Sequence, residues 1–273
     1  MPELPEVETI ARTLRRKIVG KSIADVALSG LALRRPVEES FAGCLSGRTI
    51  RRIHRRGKYL VLEMQPRAYC LVHLGMSGRL FFRAGPEQAL RHTHAIIRFS
   101  DGSELHFVDH RRFGLLSAYE LPRLGLLPEL RHLGPDPSGR GFHQEELQKA
   151  LSASKQQLKS FLLDQHRIAG LGNIYACETL FQARLHPERR CFTLTERETG
   201  ALTSAIRRVV RAAIRHRGTS FSDFIDSDGM PGDNQHFLRV FQREGKKCRR
   251  CGEKIRRLRQ GNRSTFFCPG CQI

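Results

Sequence analysis

Apolar residues recur at helical spacing near the start of the chain, where Val7, Ile10, Leu14 and Ile18 share one face of residues 5–19. Pro5 suits the first turn of such a helix and Gly20 its end. Glu6 and Glu8 fall at the positive end of its dipole, and Arg15, Arg16 and Lys17 at the negative end. This helix anchors the N-terminus, so Pro2 emerges from a fixed point. From about Lys21 to Leu121 the pattern changes to short β-like runs, among them Tyr59–Glu63, Tyr69–His73, Ala95–Phe99 and Leu105–Val108. Ser100-Asp-Gly-Ser103, between the last two, is a hairpin signal. Several short strands separated by turns predict a sandwich or barrel.

His132–Gly141 is rich in proline and glycine and reads as an interdomain linker. Helical periodicity then returns. Thr195 with Glu198 forms a capping box, followed by Leu202, Ile206, Val209, Val210 and Ile214, and Gly218 stops the helix. Phe221–Asn234, rich in Ser, Asp and Gly, predicts a mobile loop.

Charge narrows the partner. Lysine and arginine number 47 against 27 acids, a formal charge of +20 over 273 residues. That imbalance points to a polyanion. No segment approaches the roughly 20 apolar residues needed to span a bilayer, so nucleic acid is the better match. With 40% hydrophobic residues the chain can build real cores, and disorder does not explain the charge.

Two features carry chemistry. A small second residue permits removal of Met1, which leaves the ring nitrogen of Pro2 as a free secondary amine. An α-amino group titrates near ~8 against ~10.4 for lysine, so far more of it is unprotonated at neutral pH. Such an amine attacks an aldehyde-like carbon to give an iminium directly, and Glu3 beside it supplies a carboxyl for proton transfer. At the other end, Cys248-Arg-Arg-Cys251 and Cys268-Pro-Gly-Cys271 match the spacing of a tetrahedral zinc site. All four positions are filled by protein, so one structural Zn²⁺ is expected rather than a catalytic one. Disulfides in a secreted chain are the competing reading, but the N-terminus has no apolar export segment. Cys44, Cys70, Cys177 and Cys191 show no paired spacing and read as buried or inert thiols of a reducing cytosol.

Five further stretches are candidates. Lys58 opens a strand after a basic run, where a solvated charge or a phosphate contact is the ordinary reading. Met76, in His73-Leu-Gly-Met-Ser-Gly78, could wedge into a base stack from a turn tip. In Asp109-His-Arg-Arg-Phe-Gly114, arginine can reach bases or phosphates and Phe113 can stack, although a buried Phe113 would be equally ordinary. Gly170-Leu-Gly-Asn173 precedes a helix, where backbone amides make a phosphate site and Asn173 can cap. Arg263, between the cysteine pairs, sits at a hairpin tip from which it can reach DNA.

Met1-Pro-Glu-Leu-Pro-Glu-Val-Glu-Thr9, Arg-Gly-Lys58, His-Leu-Gly-Met-Ser-Gly78, Arg-Arg-Phe-Gly114, Gly-Asn-Ile-Tyr175 and the closing cysteines resemble bacterial formamidopyrimidine-DNA glycosylase, from the first residue to the last few. The resemblance implies an α+β multidomain chain. Its parts would be an N-terminal β-sandwich with an N-terminal helix (1–131), a linker (132–141), a helix–two-turn–helix domain (142–235) and a C-terminal β-hairpin zinc finger (236–273). It implies base excision repair of oxidised purines in double-stranded DNA by a bacterial, cytoplasmic, nucleoid-associated monomer, with DNA lying between the halves. By position, Pro2 resembles the nucleophile, Glu3 the acid assisting ring opening and base loss, Lys58 a partner in proton transfer and phosphate binding, and Arg263 the finger arginine on the phosphates. Met76, Arg111 and Phe113 resemble residues that fill the gap left by a flipped base. His73, His92, Lys155 and Asn173 match positions near the DNA backbone. His110 stands where relatives often have proline, which bears on loop stiffness, and the match at 222–234 is weaker.

Two other readings compete. An endonuclease VIII-type relative shares the nucleophile and finger but prefers oxidised pyrimidines. The Leu4-Pro5 start and the complete Met76, Arg111 and Phe113 set favour the purine enzyme. A non-enzymatic zinc-ribbon protein that binds damaged DNA would need only the charge and the finger, and intact Pro2 and Glu3 argue against it.

Overall fold

The computed structural model describes residues 2–221 and 224–273. It divides into two compact units. The first comprises residues 1–131 with 216–233, the second 132–215 with 234–273.

The first unit is built on α1 (Leu4–Ile18) and two four-stranded antiparallel sheets. One sheet has the order β1 (Ile23–Leu28), β6 (Thr93–Phe99), β7 (Glu104–Val108), β5 (Arg79–Arg83). The other has the order β2 (Thr49–Arg56), β3 (Tyr59–Gln65), β4 (Ala68–His73), β8 (Leu115–Tyr119). A short α2 (Ser40–Leu45) follows β1. Alternate residues of the strands meet in one core: Leu60, Leu62 and Met64 from β3, Cys70 and Val72 from β4, Ile97 and Phe99 from β6, Leu105 and Phe107 from β7. The stripe Val7, Ile10, Leu14 and Ile18 closes that core from the helix side, as its spacing predicts. Burying each such side chain contributes about 1.5–3 kcal/mol, which is why the sheets and α1 form one unit.

The second unit contains α3 (Gln144–Ser152), α4 (Leu158–Leu163), α5 (Asn173–Ala183), α6 (Glu196–Arg215) and a β9 (Arg256–Gln260)–β10 (Arg263–Phe267) hairpin. At the start of α6 the predicted box forms, with Thr195 N–H donating to Glu198 at 2.9 Å and Glu198 N–H to Thr195 Oγ1 at 3.3 Å. The hairpin buries Phe266 against Phe241, with ring centroids 5.2 Å apart, and shares a core with Cys177 and Phe181 of α5. Two strands alone are marginal in water, so this shared core and the cysteine cluster must hold them.

The stretch read as a linker, 132–141, is hydrogen-bonded to the helical unit that follows it: Gly134 N–H donates to Gln165 O at 2.9 Å, and Pro135 O accepts from Ala169 N–H at 3.0 Å. The mobile loop expected at 221–234 includes 222 and 223, which lie outside the described residues. Its remainder is tied down. The Asp226 carboxylate accepts from the N–H groups of Asp228 (2.9 Å) and Met230 (3.0 Å) and pairs with Arg217, while Phe82 N–H donates to Ser227 O at 3.1 Å. Polar composition signalled a lack of core here, but not the carboxylate that organises the turn.

Candidate active site and nucleic-acid interface

The N-terminal group is fixed by the helix it precedes. Pro2 is buried and Glu3 is the N-cap residue of α1. Glu3 N–H donates to Glu6 Oε2 at 2.8 Å, and the Glu3 carboxylate accepts from Glu6 N–H, a reciprocal box with glutamate in the place of serine. The other oxygen of Glu6 accepts from Thr219 N–H at 2.7 Å. Gly218 (φ +80°) makes that approach possible, because a Cβ there would lie 2.7 Å from Glu6 Oε1. One buried carboxylate therefore holds both the backbone beside Pro2 and the stem of the 216–233 segment.

Lys58 occupies the two-residue turn between β2 and β3 and is only 7% exposed, so it is not the solvated charge of the ordinary reading. Tyr59, next to it, pairs with His73 at the end of β4. Burial, and then the charge of Lys58, pull the His73 pKa down to about 4. Its Nδ1 accepts from Gly75 N–H at 3.0 Å, which leaves the proton of the neutral ring on Nε2. At neutral pH His73 is thus an uncharged hydrogen-bond donor, suited to a phosphate oxygen.

The next turn brings the wedge candidates together. Met76 (41% exposed) and Phe113 (45% exposed) are large apolar side chains left in solvent. The two turns are in contact, since a Cβ on Gly75 (φ +61°) would lie 2.4 Å from the Phe113 carbonyl carbon. The Arg111 guanidinium lies 4.9 Å from the centroid of the Phe113 ring. Asp109, fully buried, accepts from Ser77 Oγ at 2.5 Å, Gly114 N–H at 2.7 Å and Arg111 N–H at 3.3 Å. His92, exposed with φ +67°, accepts Asp109 N–H on its carbonyl at 3.0 Å, which places it beside the same loop. Sequence reasoning named the presented residues and missed Asp109, whose only signal was an acid opening a basic motif.

In the second unit, Lys155 is exposed on the connection between α3 and α4. The N-cap of α5 is Gly172, not Asn173; Asn173 is the first helical residue, and its Nδ2 instead donates to Ser264 O at 3.0 Å. That bond joins the α5 N-terminus to the residue after Arg263, which is exposed at the end of the hairpin and pairs with Gln260. Glu178 of α5 was also missed. Its buried carboxylate accepts from the N–H groups of Arg239, Val240 and Phe241, each at 2.9 Å, and burial raises its pKa despite those bonds.

The four finger sulfurs lie within 4.8 Å of one another, with Cys248–Cys271 at 3.9 Å and Cys251–Cys268 at 3.4 Å. A zinc tetrahedron with Zn–S of about 2.3 Å has edges near 3.8 Å, so the set fits one Zn²⁺ with every position filled by thiolate. Of the other cysteines, Cys70 and Cys191 are buried, and burial pushes their thiols up to about 12 and about 11. Cys177 is buried too, and Cys44 is only half-buried.

Residues 1–116 match the formamidopyrimidine-DNA glycosylase N-terminal domain, 133–224 the H2TH domain of the same enzyme and 245–273 a zinc finger found in FPG and IleRS. The chain belongs to the formamidopyrimidine-DNA glycosylase family. A formamidopyrimidine-DNA glycosylase of Pelotomaculum thermopropionicum is 44% identical over 273 residues, covering 100% of this chain and 99% of that protein. One from Desulforamulus reducens is 42% identical, over 100% and 99%. The Lactococcus lactis Fpg solved with abasic-site DNA superposes with a TM-score of 0.91 at 33% identity, covering 99% of each chain. MutM from Thermus thermophilus superposes at 0.89 and 38% identity, over 99% and 98%. The family's sandwich, H2TH domain and four-cysteine finger are thus all present. No helix among the described residues is long and apolar enough to cross a membrane.

Proposed function

We propose that this protein removes oxidised purines, such as 8-oxoguanine and formamidopyrimidines, from duplex DNA and then cuts the strand at the resulting site. The observation that carries the reading is Pro2 next to Glu3 at a buried, box-capped helix start, where an N-terminal amine and a carboxyl are held together. Extrusion of the damaged nucleotide exposes its anomeric carbon. The Pro2 nitrogen forms a bond to that carbon as the bond to the base breaks, and the base leaves with a proton supplied through an acid such as Glu3. The nitrogen then gives up its own proton, and the C1′–O4′ bond breaks with O4′ taking a proton through Glu3, so the sugar ring opens to an iminium that acidifies the neighbouring C2′ proton. Its loss expels the 3′-phosphate, and a second elimination expels the 5′-phosphate. Lys58 is the partner for proton transfer and phosphate binding. No step calls on the zinc, whose fit is that of a structural ion.

Recognition divides between the units. Met76, Arg111 and Phe113 fill the gap left by the flipped nucleotide, and His73, His92, Lys155, Asn173 and Arg263 hold phosphates. The protein acts as a monomer on duplexes carrying oxidised bases or abasic sites. The test is cleavage of matched duplexes carrying 8-oxoguanine or an oxidised pyrimidine. Preferential cutting of the purine duplex is expected. Preference for the pyrimidine would establish the endonuclease VIII-like reading, and binding without cutting would establish a damage-binding protein.

A further inference from the structure

Among the described residues, Lys58 and Lys159 are buried lysines, and the proposed reaction uses only Lys58. Lys159, in α4, is 1% exposed, yet a buried ammonium is costly unless its donors are satisfied. Its Nζ donates to Ser264 O at 3.0 Å and to Thr265 Oγ1 at 2.6 Å. Thr265, fully buried, passes the contact on: its hydroxyl donates to Gln260 Oε1 at 2.8 Å. The amide nitrogen of Gln260 donates to Gln157 Oε1 at 2.8 Å and Pro187 O at 3.2 Å. Gln260 and Arg263 are the paired residues that close the hairpin. One ammonium thus reaches both strands at the tip, Ser264 directly and Gln260 through Thr265.

We propose that Lys159 is a positioning residue that aims Arg263 at the DNA backbone; the inference rests on the DNA-cleaving reading of the preceding section. The metal cannot do this alone. Cys268 follows β10 five residues after Arg263, so the cluster grips the base of the hairpin about 16 Å from the tip at roughly 3.3 Å per residue. A twisted two-stranded ribbon held only at its base swings at its end. Asn173 Nδ2 shares the Ser264 carbonyl at 3.0 Å, so α4 and α5 register the tip together. A methionine at 159 would fill the same volume but supply no direction.

Because Lys159 is buried, it makes no phosphate contact of its own, and any effect on salt dependence must pass through a neighbour. The experiment measures the log–log salt slope for binding to an uncleavable abasic-analogue duplex, with zinc content, for wild type, Lys159→Met, Arg263→Ala and the double variant. Both single variants should flatten the slope by about one unit, one phosphate contact, and the double variant should lose no more than either. Zinc should remain at one per chain. An unchanged slope in Lys159→Met, or a double variant that loses two units, overturns the proposal. Should Lys159→Met lose its metal, Thr265→Val decides: a flattened slope that Thr265→Ser restores supports the relay, and wild-type behaviour of Thr265→Val overturns it. Binding to the analogue requires no chemistry. If wild type binds it yet fails to cut an oxidised-base duplex, the reaction reading fails while these slopes still decide the role of Lys159.

Discussion

The paired turns that carry Met76 and Phe113 and the hairpin tip that carries Arg263 both present side chains to solvent, but they are built differently. The turns rise from two sheets that share a large apolar core, and a single buried carboxylate, Asp109, gathers their backbone and hydroxyl donors. The finger has two strands, a small core borrowed from α5, and polar or thiolate anchors at each level: the cysteine cluster, Glu178 and Lys159. A presenting surface that rests on a core needs only local hydrogen bonds for its shape. One with only a small, shared core must be fixed by ligands and charges as well, so it is more sensitive to single substitutions and to metal loss.

The largest effect that separates the two regions is expected from the metal. Cys268→Ser should cost more than about 100-fold in zinc affinity, since even changes to the groups that hydrogen-bond and orient metal ligands reach that size, and DNA affinity should fall with it. The sandwich should keep its fold, observable as unchanged amide exchange protection in β3 and β4. Active, DNA-binding protein without zinc would break the contrast.

Asp109→Ala is the matching change in the sandwich. It leaves the donors of Ser77 and Gly114 buried without their acceptor, at about 1–3 kcal/mol each. Lesion cutting should fall more than affinity for undamaged duplex, with zinc content unchanged. Zinc loss in this variant would show that the two regions are not independently organised.

A smaller effect distinguishes phosphate contacts from wedge residues. Lys155→Ala should weaken binding to damaged and undamaged duplexes alike and flatten the salt slope by about one unit. Met76→Ala should leave the slope intact and slow base extrusion, which costs a few kcal/mol per unstacked step by rough estimate. Equal loss of cutting and nonspecific affinity in both variants would remove the division of roles.

The smallest expected effect comes from His73. Its pKa lies at about 4 in the folded chain against an ordinary 6.5, so between those values the unfolded chain binds more protons. Stability should therefore fall as pH falls from about 6.5 through about 4, and this contribution should be flat above that window. His73→Gln should remove that part of the pH dependence, measured as the difference between urea unfolding curves. A His73 resonance titrating near its ordinary value would contradict the half-buried, neutral ring.

How much of this was legible in the sequence follows the same contrast. The stripe Val7, Ile10, Leu14 and Ile18, the alternating strands and the Thr195–Glu198 box are local periodicities, and the structure reproduces them. The two cysteine pairs were legible because metal geometry constrains spacing in the chain. Asp109, Glu178 and Lys159 were not, because each acts on donors or acceptors that only folding brings near: Lys159 bonds to residues more than 100 positions away. Asn173 shows the same limit. Its position before a helix signalled a cap, while the fold gives the cap to Gly172 and turns the side chain to Ser264. The turn around Asp226 was hidden likewise, since polar composition does not reveal which carboxylate collects the amides.

The most direct test of the central claim, that the chain's own end is the nucleophile, is borohydride trapping on an 8-oxoguanine duplex. Protein with Met1 removed should form a covalent adduct that maps to Pro2. Pro2→Gly should form much less of it, and a tag left on the N-terminus should abolish it. Full trapping by the N-terminally blocked protein would contradict the account and move the nucleophile to a lysine such as Lys58.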